Sequence, residues 1–143
     1  MNEAKQFLRQ VRNIDRRIER EEEELERLRA KLEAGRMSSL TGMPRGGVSD
    51  WTDTVGRLIE LEQRVNARIR EMCALKQAAM DAIEAVEEAR CREVLELYYL
   101  HGLTWEKVAE AMGYRDVRWV YVLHGRALKQ VRVPPDLTDG AEQ

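Results

Sequence analysis

The sequence predicts an all-α protein: a long antiparallel helical hairpin, wound as a coiled coil, followed by a helix-turn-helix. Three observations point there. Of 143 residues, 43% are hydrophobic and 35% charged, while 6% are aromatic and 3 are proline, a profile of long amphipathic helices rather than of a sandwich or barrel. Two stretches repeat apolar residues at alternating intervals of four and three, the mark of a heptad seam. Beyond Gly102 that pattern gives way to two short helical stripes separated by Gly113. The length suits one domain, or a small module on an extended arm. The predicted boundaries are 1–89 for the hairpin with a loop at 35–50, 90–133 for the helix-turn-helix, and 134–143 for a flexible acidic tail.

The first seam runs Phe7, Val11, Ile14, Ile18, Leu25, Leu28 and Leu32, broken by Glu21. Charges four apart, such as Glu23 with Arg27 and Arg20 with Glu24, give it a solvated, ion-paired outer face. Gly35 is the predicted helix end. Residues 35–50 hold four of the nine glycines and one proline, so a connector is expected. Its Gly-Met-Pro-Arg-Gly-Gly run lacks the Gly-Lys-Ser/Thr ending of a nucleotide loop and predicts no phosphate chemistry. Ser49 or Asp50 is the expected cap of the next helix.

The second seam runs Trp51, Val55, Leu58, Glu62, Val65, Ile69, Met72, Lys76, Ala79, Ile83 and Val86. Leu61, Leu75 and Met80 lie off it. An isolated hairpin leaves them uncovered, which predicts a homodimer through the coiled coil or cover from the C-terminal module. A bend is expected near Glu87 to Arg90, and His101-Gly102 closes the helix.

Thr104 has the residue type and position of an N-cap, and Glu106 suits a first turn. Trp105, Val108, Ala109 and Met112 form an apolar stripe up to Gly113, whose missing Cβ permits a positive φ. Asp116 is the cap candidate of the next helix. There Val120, Leu123, Ala127, Leu128 and Val131 face inward, although the length of the turn leaves Trp119 as an alternative to Val120. Arg118, Tyr121, Val122, Gly125 and Lys129 share the opposite side. Five basic residues (Arg115, Arg118, Arg126, Lys129 and Arg132) stand against Asp116 within 113–133, in a chain whose overall charge is -2.

A helix of this kind fits the major groove of double-stranded DNA, so Arg118 and Tyr121 are expected at base edges and Val122 at a thymine methyl. Thr104, Lys107, Arg126, Lys129 and Arg132 are expected at phosphates, and Arg115 belongs to the same basic set. Gly125 inside a helix costs about 1 kcal/mol relative to alanine, which suggests a close approach by another backbone, protein or DNA.

Other residues predict no chemistry. His101 and His124 read as a helix-end residue and a flanking helical residue, Cys73 and Cys91 as packed thiols, and Trp51 and Trp105 as packing anchors, since none has metal or triad spacing. No cofactor and no enzymatic activity are expected. The start lacks an apolar signal region, and no run of eighteen apolar residues occurs, so a cytoplasmic protein without membrane contact is expected.

The run Glu93-Val94-Leu95-Glu96-Leu97-Tyr98-Tyr99-Leu100-His101-Gly102-Leu103-Thr104-Trp105-Glu106-Lys107-Val108-Ala109, followed by Gly113 and Arg126-Ala127-Leu128, resembles the fourth conserved region of bacterial sigma factors. The chain as a whole resembles the ArpU/RinA-type phage transcriptional regulators more closely. In that family a charged coiled-coil half, a Thr-Gly-Met-Pro-Arg-Gly loop (here Thr41–Gly46) and a Trp-Glu-x-Val/Ile-Ala helix precede a Val-Tyr-x-Leu-His-Gly-Arg-Ala-Leu run (here Val120–Leu128), and the resemblance covers about residues 38 to 132. Gly113 to Val120 is one residue longer than the family's usual turn. The resemblance implies a sigma-like helix-turn-helix, activation of phage or prophage promoters, and contact with bacterial RNA polymerase in a bacterial host cell. Two rival readings are the small subunit of a phage terminase and a coiled-coil adaptor without DNA binding.

Overall fold

A computed structural model describes residues 2–40 and 48–135, with the side chains of 38–40 and 48–51 outside the description. The described residues are helical and contain no strand: α1 (Glu3–Arg9), α2 (Ile14–Leu40), α3 (Val48–Glu84), α4 (Ala89–Leu95), a π-helical turn (Glu96–Leu100), α5 (Trp105–Met112) and α6 (Val117–Leu128). None of these helices is long and apolar enough to cross a membrane. The described residues form two compact units, one within 15–73 and the other made of 2–14 with 74–135.

In residues 15–73, α2 and α3 bury Leu25, Leu28 and Val65, and Leu58, Leu61 and Ile69 pack against them. Glu21 meets Arg68 at 3.1 Å and Arg29 meets Glu62 at 4.0 Å. Partner numbers fall on α3 as they rise on α2, so the two helices run antiparallel here. Glu21 and Glu62 interrupt the two apolar seams, and both face an arginine of the opposite helix. Leu61, which lies off the predicted seam, is half-buried and packs against this cluster.

The connector is shorter than 35–50. Helix α2 continues through Gly35 to Leu40, and α3 begins at Val48, which places Ser49 and Asp50 inside the helix rather than ahead of it. One glycine costs about 1 kcal/mol in a helix, less than the strong helix formers Lys31, Leu32, Ala34 and Met37 around it can offset. The Thr41–Gly46 loop and the Trp51 side chain lie outside the described residues.

The other unit begins with α1, where the Asn2 Oδ1 accepts the Ala4 N–H at 2.9 Å and caps the helix. Ala4, Phe7 and Leu8 are buried. The first seam is not one helix. It breaks at residues 10–13, where Asn13 takes φ 63, a left-handed conformation that asparagine tolerates better than most side chains. Beside it the Arg12 guanidinium lies 4.0 Å from the Tyr98 ring centroid and donates to the carbonyls of Tyr98, Gly102 and Leu103 at 3.4–3.5 Å. This clamp ties the start of the chain to the segment leading into α5.

Helix α3 enters the same unit with Ala79 and Ile83 buried, and the chain breaks at Ala85–Glu88, two residues ahead of the expected bend. After α4, the His101 N–H donates to the Glu96 carbonyl at 2.9 Å, closing the wider π turn. Helices α4 and α5 both pack on α6. Val94, Leu95, Val108, Val120 and Ala127 are buried in this unit. The compact unit thus includes α1 and the end of α3, whereas the boundary expected from the sequence falls at 89/90. Cys91 is buried as expected, but Cys73 is exposed and is not a packed thiol.

Candidate nucleic-acid interface

Helix α5 starts where the Thr104 Oγ1 accepts the Lys107 N–H at 3.3 Å. It ends at Gly113, whose φ of 80 lets its own N–H and that of Tyr114 reach the carbonyls of Glu110 and Ala109 at 3.2 and 2.8 Å. Helix α6 starts at Asp116, whose Oδ1 accepts the Arg118 N–H at 2.9 Å. Both helix starts and the turn follow from the residue types at those positions.

Val120 is fully buried and Trp119 is 63% exposed, so Val120 takes the inward place. His124, Ala127 and Leu128 are buried beside it, and Leu123 is half-buried. At about 100° per residue, the exposed side chains occupy the opposite arc, from Trp119 through Val122, Lys129, Arg118 and Gly125 to Tyr121. All nine expected contact residues are exposed: Thr104, Lys107, Arg115, Arg118, Tyr121, Val122, Arg126, Lys129 and Arg132. Trp119 belongs to this surface and was not expected there. Its exposure follows directly once Val120 is fixed in the core.

Two of the cations are engaged within the protein. Arg118 donates to the Asp116 Oδ2 through Nε at 2.7 Å and Nη2 at 2.6 Å, which lowers the carboxyl's pKa and raises that of the guanidinium. Arg126 meets Glu88 at 3.0 Å, and Glu88 also accepts from Gln130 Nε2 at 3.0 Å. The Gln130 hydrogen bond, followed by one to Cys91 and then by the Arg126 charge, holds Glu88 below the usual carboxylate range. Lys107, Arg115, Lys129 and Arg132 have no ion pair among the described residues, so their charge is available to an anionic partner.

No protein-family model, curated protein or solved structure matches this chain.

Beneath the exposed arc lies an aromatic cluster. The Tyr99 hydroxyl and His124 Nε2 are hydrogen-bonded at 2.7 Å. Burial pushes His124 down to about 4 and Tyr99 up to about 12, so both are neutral near pH 7. His124 is therefore a core residue and not a flanking one. Trp105 packs edge-on to His124 and Tyr121 with ring centroids at 4.6 and 5.6 Å, and also lies against Tyr98. Tyr121 is thereby fixed at one margin of the exposed arc, while its other side remains open. A Cβ placed on Gly125 meets nothing within 4 Å, so no contact inside the described chain requires a glycine there. No group of three His, Cys, Asp or Glu side chains among the described residues could hold a metal ion. The arrangement offers hydrogen-bond donors, free cations and apolar groups on one helix face, which suits binding of a polyanion.

Proposed function

We propose that this chain is a sequence-specific DNA-binding transcriptional activator of phage or prophage genes. In this reading α5, the Gly113 turn and α6 form a sigma-like helix-turn-helix, α2 and α3 form a coiled-coil hairpin, and a homodimer presents the module to duplex DNA. The observation that carries it is the two-sidedness of α6: Val120, His124, Ala127 and Leu128 are buried, while Arg118, Tyr121, Val122 and Lys129 face solvent. Such a helix can enter a major groove without losing its packing. The motifs shared with ArpU/RinA-type regulators supply the promoter and RNA polymerase part of the reading.

Lys107, Arg115, Lys129 and Arg132 are the proposed phosphate contacts, and Arg118, Tyr121 and Val122 the proposed base contacts. Four phosphate contacts give a log-log slope of duplex affinity against salt of about -3.6. That slope, measured with the full chain, supports the reading, and a flat response favours a coiled-coil adaptor. Bound fragments selected from the phage's own genome then separate promoters from packaging sites, the latter indicating a terminase small subunit. Replacing Lys129 weakens all sites alike, whereas replacing Arg118 alters base preference.

A further inference from the structure

Asp116 uses its carboxylate in two directions. Oδ1 caps α6 by accepting the Arg118 N–H at 2.9 Å, and Oδ2 accepts from the Arg118 Nε and Nη2 at 2.7 and 2.6 Å. The Arg118 side chain is 86% exposed, so the pair lies in solvent and adds little to stability. Its effect is geometric. A lone arginine on a helix surface samples many rotamers, whereas here a carboxylate anchored to the backbone through Oδ1 holds the Nε and Nη2 edge of the guanidinium through Oδ2.

With Nε and the inner Nη2 hydrogen committed to Asp116, the hydrogens left free are those of Nη1 and the outer one of Nη2, at the far edge of the guanidinium. That edge carries two parallel donors, the pattern that matches the O6 and N7 acceptors of guanine in the major groove. Adenine offers N7 but places a donor where guanine has O6, and so repels one of the two. We infer that Asp116 is a positioning residue that holds Arg118 edge-on for guanine, making this pair the specificity determinant at one base of the bound site. The inference rests on the DNA-binding reading given above and names the base read by one of its residues.

The test compares full-length protein with Asp116→Asn and Arg118→Lys, each used to select duplexes from a random pool. Asparagine is as good an N-cap as aspartate, so α6 keeps its start and the thermal midpoint serves as the folding control. The wild-type protein is expected to select guanine at one position. Asp116→Asn is expected to reduce that preference about tenfold and leave the other positions as they were, while affinity for unselected duplex holds or rises because a negative charge has gone. Arg118→Lys, which keeps the charge but loses the planar fork, is expected to lose preference at the same position. Replacing that guanine with 7-deazaguanine is expected to weaken the wild type and to leave Asp116→Asn nearly unaffected. Unchanged guanine preference in a folded Asp116→Asn protein overturns the inference and leaves DNA binding standing. Failure of the wild type to retain any duplex overturns both.

Discussion

The two compact units solve the burial problem differently. Residues 2–14 and 74–135 surround Tyr99, Leu8, Ile83, Leu95 and Val120 almost completely, with side chains drawn from α1, the end of α3, α4, the π turn and α6. Residues 15–73 pack one helix on another, and their described core is Leu25, Leu28 and Val65 with half-buried neighbours. Elements that meet from several directions can enclose a side chain, but two antiparallel helices enclose only their shared seam. The unit that carries the exposed α6 face is therefore the one with the more fully enclosed core.

The largest effect expected from this contrast is at Phe7. It is 3% exposed, and Phe7→Ala should cost about 4 kcal/mol in urea denaturation, with loss of amide protection in α6. A cost under about 1 kcal/mol would show that α1 is dispensable to the unit. Acid should act almost as strongly. The folded His124 pKa of about 4 lies below its ordinary value of 6.5, so the neutral ring's contribution is present in full above about pH 6.5 and is lost as pH falls toward 4. That shift corresponds to about 3 kcal/mol, and NMR titration of the imidazole checks it directly.

In the other unit Leu25→Ala should cost only about 2 kcal/mol, near the low end for a buried leucine, because a two-helix seam can collapse into the space left behind. A penalty equal to that of Phe7→Ala would erase the distinction between the units. Gly125→Ala should raise stability by about 1 kcal/mol, since the new methyl group meets nothing within 4 Å, and a lowered thermal midpoint would contradict this. Smallest of all, Glu21→Gln should change stability by less than about 1 kcal/mol at ordinary salt, because Arg68 and Glu21 are both partly solvated.

Much of the α5–α6 region was legible because local rules decide it. Thr104, Gly113 and Asp116 mark their own turns, and the stripe from Val120 to Leu128 marks its own face. The clearest misses involve residues whose partners are far away in sequence. His124 looks like any helical residue until the π turn brings Tyr99 to it across 25 positions. The seam through Phe7, Val11 and Ile14 has heptad spacing, yet a turn with Asn13 in the left-handed region also buries all three. Periodicity reports which residues are inward and is silent on whether the backbone between them stays helical. The Arg118–Asp116 fork was hidden for a simpler reason: Asp116 was read as a cap, and its second oxygen was free for another role.

The clamp between Arg12 and the Tyr98–Leu103 carbonyls has a consequence for how the molecule is made. Arg12 and the helix before it leave the ribosome well before the segment that Arg12 grips, and translation at about 5–20 residues per second leaves them waiting on the order of ten seconds for it. During that interval the nascent chain leaves Phe7 and Leu8, both buried in the finished protein, without their cover. Polypeptides cut short before Tyr98 lack every partner of Arg12, so the start of the chain is tied down only once that segment has been made.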